Sequence, residues 1–151
     1  MTRYLVLDPF TDLSQTREMI SLLKGLHPSG EGFRWVLFLA VERETIGTCG
    51  FHNWKKEHAR AEIGYEMDSR YWGKGLMSEA VRAVMDYGFT RMGLNRIEAF
   101  VTVGNRKSLS FLERNGFTCE GTLRQYERAR GRYQDQWICS LLKQEWLTGG
   151  I

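Results

Sequence analysis

Between residues 61 and 102 the hydrophobic period changes twice, and no other feature of the chain restricts its fold as much. The stretch "AEIGYEMD" (61–68) alternates, with Ile63, Tyr65 and Met67 on one face and Glu62, Gly64 and Glu66 on the other. That is the period of a strand. Met77, Ala80, Val81, Val84 and Met85 then form the inner stripe of a helix over 76–91. "RIEAFVT" (96–102) alternates again. A strand, a helix and a strand in succession call for parallel pairing, because the crossover carries the chain back to the end of the sheet it left.

The flanking segments extend this frame. "TDLSQTREMISLLKGL" (11–26) reads as a helix whose imperfect apolar face is Leu13, Met19, Ile20, Leu22 and Leu23, and "HPSGEG" (27–32) as a loop. "FRWVLFLAV" (33–41) is a buried strand by its aromatic and branched residues, followed after a turn at 42–45 by a second strand over 46–51. Residues 53–60 are polar and read as exposed. "NRKSLSFLERNG" (105–116) is a short helix, with Asn105 as its N-cap and Gly116 as its left-handed exit. A strand over 117–127, a turn at "RARGR" (128–132) and a last strand over 133–146 complete the chain. The early strands are joined by short turns and suit antiparallel pairing, while the later crossovers suit parallel pairing. The expectation is a mixed α+β fold around one sheet, as a single domain over 1–151, since no repeat, linker or low-complexity stretch interrupts it.

A chain of 151 residues buries about 70% of its unfolded surface and needs no metal or disulfide staple. The three cysteines, Cys49, Cys119 and Cys139, are an odd count with no CxxC pair, which points to free thiols and a reducing compartment. His27, His52 and His58 are too scattered to gather the three or four ligands of a metal site, so no metal is expected. A net charge of +3 does not argue for nucleic acid. The start, "MTRYLVLDPF", lacks a secretory pattern, and the longest apolar run, 35–41, is too short to cross a bilayer. A cytoplasmic protein with no membrane partner is expected.

The chemistry-bearing motif is "RYWGKGLMSEA" (70–80), which sets Gly73 and Gly75 at the mouth of the second helix. A helix start offers unpaired N–H groups and partial positive charge. Glycines let the backbone approach a ligand without a Cβ in the way. Arg70 and Lys74 add charge, so phosphate is the natural guest. The loop lacks the Gly-Lys-Ser/Thr ending of a P-loop and the third glycine of a dinucleotide site.

Together, "AEIGYEMDSRYWGKGLMSEAVRAVMDYGF" and "NRIEAFVTVGNRKSLSFLERNGFTCEGTLR" resemble the GNAT superfamily of acetyl-coenzyme A-dependent N-acetyltransferases. The likeness is strongest to its RimJ/RimL-like branch, which includes acetyltransferases of ribosomal-protein N-termini. It runs from about residue 33 to 146 and rests on Arg-x-x-Gly-x-Gly, the Asn-x-x-Ser helix start, the "NGF" exit (115–117) and "EGTLR" (120–124), in that order. The resemblance implies one mixed, mostly antiparallel sheet with flanking helices and a splayed central strand pair. It implies that the backbone of Tyr71, Trp72, Gly73, Lys74, Gly75, Leu76 and Met77 wraps the diphosphate of acetyl-coenzyme A, beside Arg70. Pantetheine would fill the splay next to Glu66, Met67 and Asp68. Asn105 would reach its amides, and Ser108, Phe111 and Arg114 would line the far side.

Acetyl transfer to an amine needs a base, a donor for the thioester oxygen and an acid for the departing sulfur, and no covalent enzyme intermediate. The cysteines are therefore not expected to be nucleophiles, and Cys119 and Cys139, which alternate with polar neighbours, read as packing residues. Many members of the superfamily carry an acidic tyrosine seven residues after the asparagine; this chain has Leu112 there. Ser108 takes that role, as in the RimJ/RimL-like branch. Glu127 is the favoured base, with Glu62 and Glu66 as rivals, and a backbone N–H near Met67 is the expected oxyanion donor. Arg124, Arg128, Arg130 and Arg132 form either an anion site or a solvated turn, and His52, Trp54 and Trp72 either shape the acceptor pocket or fill the core. The acceptor is a protein N-terminal α-amine or a small amine. The alternative function is a non-catalytic acetyl-coenzyme A-binding module. Relatives usually begin with a further strand and helix, which are not seen here, so the 33–41 strand would be left as an open edge. A homodimer that covers it is expected.

Overall fold

The computed structural model describes residues 13–149. In chain order the elements are α1 (Leu13–Ser29), β1 (Phe33–Leu39), β2 (Glu44–Lys55), β3 (Arg60–Met67), α2 (Leu76–Thr90), β4 (Arg96–Thr102), α3 (Arg106–Arg114), β5 (Thr118–Ala129), β6 (Arg132–Leu142) and α4 (Lys143–Thr148). Short 3₁₀ turns occupy Lys56–His58 and Ser69–Tyr71. The strands form one six-stranded sheet in the order β1-β2-β3-β4-β6-β5. β3 and β4 pair in parallel, and every other neighbouring pair is antiparallel. The mixed, mostly antiparallel sheet is as expected.

One face of the sheet carries the core. Cys49, Phe51, Ala61, Ile63, Ile97, Ala99, Val101, Cys139 and Leu141 from the strands pack on Val81, Val84, Met85 and Phe89 of α2 and on Leu109 and Leu112 of α3. The alternation read from the sequence places these residues, because period two puts every second strand residue on the same side. The other face is polar. Arg60 and Arg96 both bind the buried carboxylate of Glu98, at 2.9 and 2.8 Å, and Arg96 also grips Glu120, which Ser140 bonds in turn. This chain of charges crosses β3, β4, β6 and β5 and ties their ends together. Arg96 and Ser140 together hold the Glu120 carboxyl down at about 2.

The parallel ladder between β3 and β4 is short. It joins only Arg60–Glu62 to Arg96–Glu98. Beyond it β3 runs on to Met67 held by β2 alone, while β4 runs on to Thr102 held by β6 alone. The sheet therefore opens into a wedge at its centre, the splayed pair that the resemblance implied.

Several local expectations are corrected. α1 continues through Pro28 to Ser29, so its end lies beyond the loop boundary read at His27. Proline in a last turn forgoes a single amide bond. Ile20 and Leu22 are exposed and do not belong to an inner face. The proposed start of this helix at Thr11 lies outside the described residues, as do the side chains of Leu13, Met19 and Leu23. β4 and β5 are not neighbours: β6 lies between them, returned there by a two-residue turn at Arg130 and Gly131, both with positive φ. Arg128 and Arg132 thus lie on strands. The last strand stops at Leu142, and α4 follows, started by Glu145 accepting the Leu142 N–H at 2.8 Å. Among the described residues no helix is long and apolar enough to cross a membrane, and no group of three or more His, Cys, Asp or Glu could hold a metal ion.

Candidate active site

The turn between β3 and α2 is built to leave amides free. Gly73 and Gly75 have φ of +74° and +79°, a region that L-residues with a Cβ rarely enter. Gly75 precedes α2 as an N-cap with no side-chain cap, and the first helical bond there runs from Glu79 N–H to the Gly75 carbonyl. The amides just before Glu79 lack partners within the helix, as at any helix start. A Cβ at either glycine would meet no heavy atom within 4 Å, so the loop faces open space. Trp72, Lys74 and both glycines are exposed, while Leu76 and Met77 turn inward onto Ile46, Met67 and Tyr71.

Glu42 of the β1–β2 turn and Glu44, the first residue of β2, hold this loop in place. The buried Tyr71 places its hydroxyl 2.6 Å from Glu42 and 2.7 Å from Glu44. Those bonds, to Glu42 and then to Glu44, keep the phenol protonated far above its ordinary range. Arg70 pairs with Asp68 at 2.8 Å and with Glu44 at 2.7 Å. Its charge is compensated twice, so what Arg70 contributes to the loop is shape. Asp68 also caps the 3₁₀ turn by accepting the Arg70 N–H. Free positive charge nearby comes from Lys74, 5.1 Å over the Tyr71 ring, and from Lys107, 5.6 Å over the Trp72 ring. Lys107 was not singled out in the sequence; its place beside the Asn105 cap was the signal available.

The wedge is lined next. Asp68 N–H donates to the Ile46 carbonyl on β2. Antiparallel bonding alternates, so the amides of Tyr65 and Met67 point the other way, into the wedge. The Met67 carbonyl there takes the Trp72 indole N–H at 2.9 Å. Asn105 caps α3 by accepting the Ser108 N–H at 3.2 Å, and the Ser108 hydroxyl lies 2.9 Å from the Tyr65 hydroxyl. Phe111 packs on the Tyr65 ring with centroids 5.0 Å apart. Arg114 is exposed in the last turn of α3. Cys49 and Cys139 face the same core, and burial pushes each thiol up to about 12, so both stay protonated.

The three candidate bases on the polar face are held in three different ways. Glu66 is bound by Arg34 and by the Thr48 hydroxyl. Burial would raise the Glu62 carboxyl, but hydrogen bonds from His52 at 3.1 Å and Asn53 at 3.0 Å outweigh it and hold the group below the usual range. Glu127 is pushed up, first by burial and then by the charge of Glu62, against an opposing pull from His52. Gln136 donates to Glu127 at 2.9 Å and also reaches the Thr102 hydroxyl. Gln136 is itself buried. It escaped notice in the sequence because only the β5–β6 register, shifted by bulges either side of Thr122, brings it to Glu127. Trp54 packs against the core, His52 serves Glu62, and the four hairpin arginines are exposed.

This geometry has clear relatives. A family profile described as an acetyltransferase (GNAT) domain matches residues 1–118. The chain is 46% identical over 146 residues to the uncharacterized N-acetyltransferase p20 of Bacillus licheniformis, covering 97% of this chain and 82% of that one. It is 30% identical over 131 residues to the ribosomal protein uS5-alanine N-acetyltransferase of Escherichia coli, covering 86% and 68%. Among solved structures, spermidine N-acetyltransferase from Vibrio cholerae, in complex with CoA and spermine, superposes with a TM-score of 0.83 at 26% identity, covering 97% of this chain and 85% of that one. An open central strand pair, a left-handed glycine turn at a bare helix start, and this kinship lead to one conclusion: the chain belongs to the GNAT acetyltransferase family and is an N-acetyltransferase.

Proposed function

We propose that the chain transfers the acetyl group of acetyl-coenzyme A directly to a primary amine, with Glu127 as base and Ser108 as the proton donor to the departing sulfur. The observation that carries this reading is the wedge, with a carboxyl of raised proton affinity toward its polar face and a hydroxyl fixed on its helical face. Acetyl-coenzyme A would supply the activated thioester; everything else falls to the chain. The amides of 71–77, with Lys74 nearby, hold the diphosphate. The inward amides of Tyr65 and Met67 pair with pantetheine as a further strand would and offer an N–H to the thioester oxygen as it takes on charge. Glu127 takes the amine proton, since the other two carboxylates are held by stronger partners.

The acceptor is a cationic amine drawn in by Glu62 and Glu127, either a protein N-terminal α-amine or a small amine. Acetyltransferases for both kinds stand among its relatives. Release of free thiol from acetyl-coenzyme A, across a panel of N-terminal peptides and polyamines, tests the reading. Ser108→Ala is expected to lower kcat about 100-fold or more with acetyl-coenzyme A affinity unchanged. An unaffected kcat removes Ser108 from the chemistry.

We also propose a homodimer formed along β1. That strand ends the sheet among the described residues, and its Val36 and Phe38 are 62% and 60% exposed. Such an edge invites pairing with another chain. Light scattering is expected to give a dimer mass at micromolar concentration, and a monomer at high concentration would refute it.

A further inference from the structure

The side chain of Tyr65 stands out because the chemistry proposed above uses only the backbone amide of this residue. Its position in the alternating stretch marks it as a core residue, and its ring does pack on Phe111. Yet its hydroxyl is the partner of Ser108, at 2.9 Å across the wedge. Burial keeps the phenol un-ionised well above its ordinary range. The neighbouring thiols of Cys49 and Cys139 are likewise neutral. Among the described residues no charged side chain bonds to either hydroxyl.

A serine hydroxyl has one proton and two lone pairs. A phenol is a far stronger acid than an alkanol, so the phenol is the donor in such a pair and the serine oxygen the acceptor. The serine is tied at two points: its N–H to Asn105 and its Oγ to Tyr65. Its own proton is left over.

We propose that Tyr65 is a positioning residue for Ser108: it donates to Ser108 Oγ, fixes the hydroxyl at the wedge and leaves the serine proton directed at the leaving sulfur. This rests on the reading of Ser108 as the proton donor. As the C–S bond breaks, its electron pair moves to sulfur, and the Ser108 proton follows. The bond from Tyr65 strengthens as Oγ gains negative character, because a donor to a charged oxygen favours that form. As Oγ gives up its proton, the Tyr65 proton, the more acidic of the two, passes to it along the 2.9 Å bond, so no free alkoxide forms and Tyr65 still acts only through the serine. The cationic amine loses two protons, one before attack and one from the nitrogen once the new C–N bond has formed, and Glu127 passes each in turn to solvent. Solvent returns one proton to the tyrosine–serine pair, so one net proton is released and the count closes.

The test is a double-mutant cycle of Tyr65→Phe and Ser108→Ala, read as kcat and KM for acetyl-coenzyme A in the full chain. Rates are taken per acetyl-coenzyme A site titrated by calorimetry, so partial unfolding does not mimic the result. Phenylalanine keeps the contact with Phe111 and removes only the hydroxyl. Tyr65→Phe is expected to lower kcat about tenfold, the scale of one hydrogen bond to a charged group, with KM within about twofold. The double variant should be no slower than Ser108→Ala, because Tyr65 acts only through the serine. A slow Ser108→Ala beside a Tyr65→Phe enzyme of native kcat overturns the role of Tyr65 and leaves that of Ser108 standing. Additive losses also overturn it, since Tyr65 would then act by packing. A native rate for Ser108→Ala overturns the Ser108 reading itself.

Discussion

Gly75→Val is expected to weaken acetyl-coenzyme A binding by about 100-fold or more while the protein stays folded. An L-residue in the left-handed region loses about 1–2 kcal/mol, and a β-branched one more. Gly75 has φ of +79°, so valine drives this residue back to negative φ. The amides on either side then turn away from the space they share. No clash inside the protein contributes, because a Cβ at this position finds no heavy atom within 4 Å. The loss therefore appears in ligand affinity, measured by calorimetry, and the melting temperature falls by only a few degrees. Gly75→Asn separates conformation from bulk. Asparagine enters the left-handed region several times more readily than other residues, and this variant should bind within about tenfold of the wild type. Native affinity in the valine variant would show that the diphosphate does not rest on this turn.

Glu127→Gln is expected to lower kcat/KM by about 100-fold, within the usual range for removal of a general base. The substitution is nearly isosteric, and the new amide oxygen still accepts from Gln136, so the β5–β6 register is preserved. The pH dependence is the sharper readout. Burial and the Glu62 charge both favour the protonated form of Glu127. The acid limb of kcat/KM therefore lies above the ordinary carboxylate range, and activity is lost as pH falls through it. Glu62→Gln removes the repelling charge and should move that limb to lower pH. Stability runs in the opposite sense. A carboxyl raised in the folded state contributes stability below its unfolded pKa and loses it as pH rises through the folded value. At neutral pH Glu127 is thus a burden on the fold, and Glu127→Gln should melt no lower than the wild type while turning over slowly. An acid limb that stays put in Glu62→Gln would assign the base to another group.

Elements with strong local signals were legible in the sequence. β4 begins and ends where the alternation of "RIEAFVT" does, and α3 is bounded by the Asn105 cap and the Gly116 exit with φ of +89°. The glycine turn was legible for the same reason, since positive φ is a property of single residues. Features that depend on distant pairing were not. The insertion of β6 between β4 and β5 follows from a two-residue hairpin and the bonding of Arg96–Thr102 to Gln136–Leu142, which no periodicity records. Tyr65 reads as core because an inward tyrosine looks the same whether or not its hydroxyl finds a serine. The compensation of Arg70 by Asp68 and Glu44 was hidden likewise, since Glu44 sits two elements upstream. α4 carried little signal, because its N-cap Leu142 has no side-chain oxygen and only half of the usual capping pair, Glu145 accepting the Leu142 N–H, is present.

A crystal structure of the chain with coenzyme A is the most direct test. The diphosphate should lie on the amides of 71–77, and pantetheine should run along β3 through the wedge, its sulfur close to Ser108 Oγ. Coenzyme A bound elsewhere, with that turn and the wedge empty, would contradict the site and every residue role derived from it.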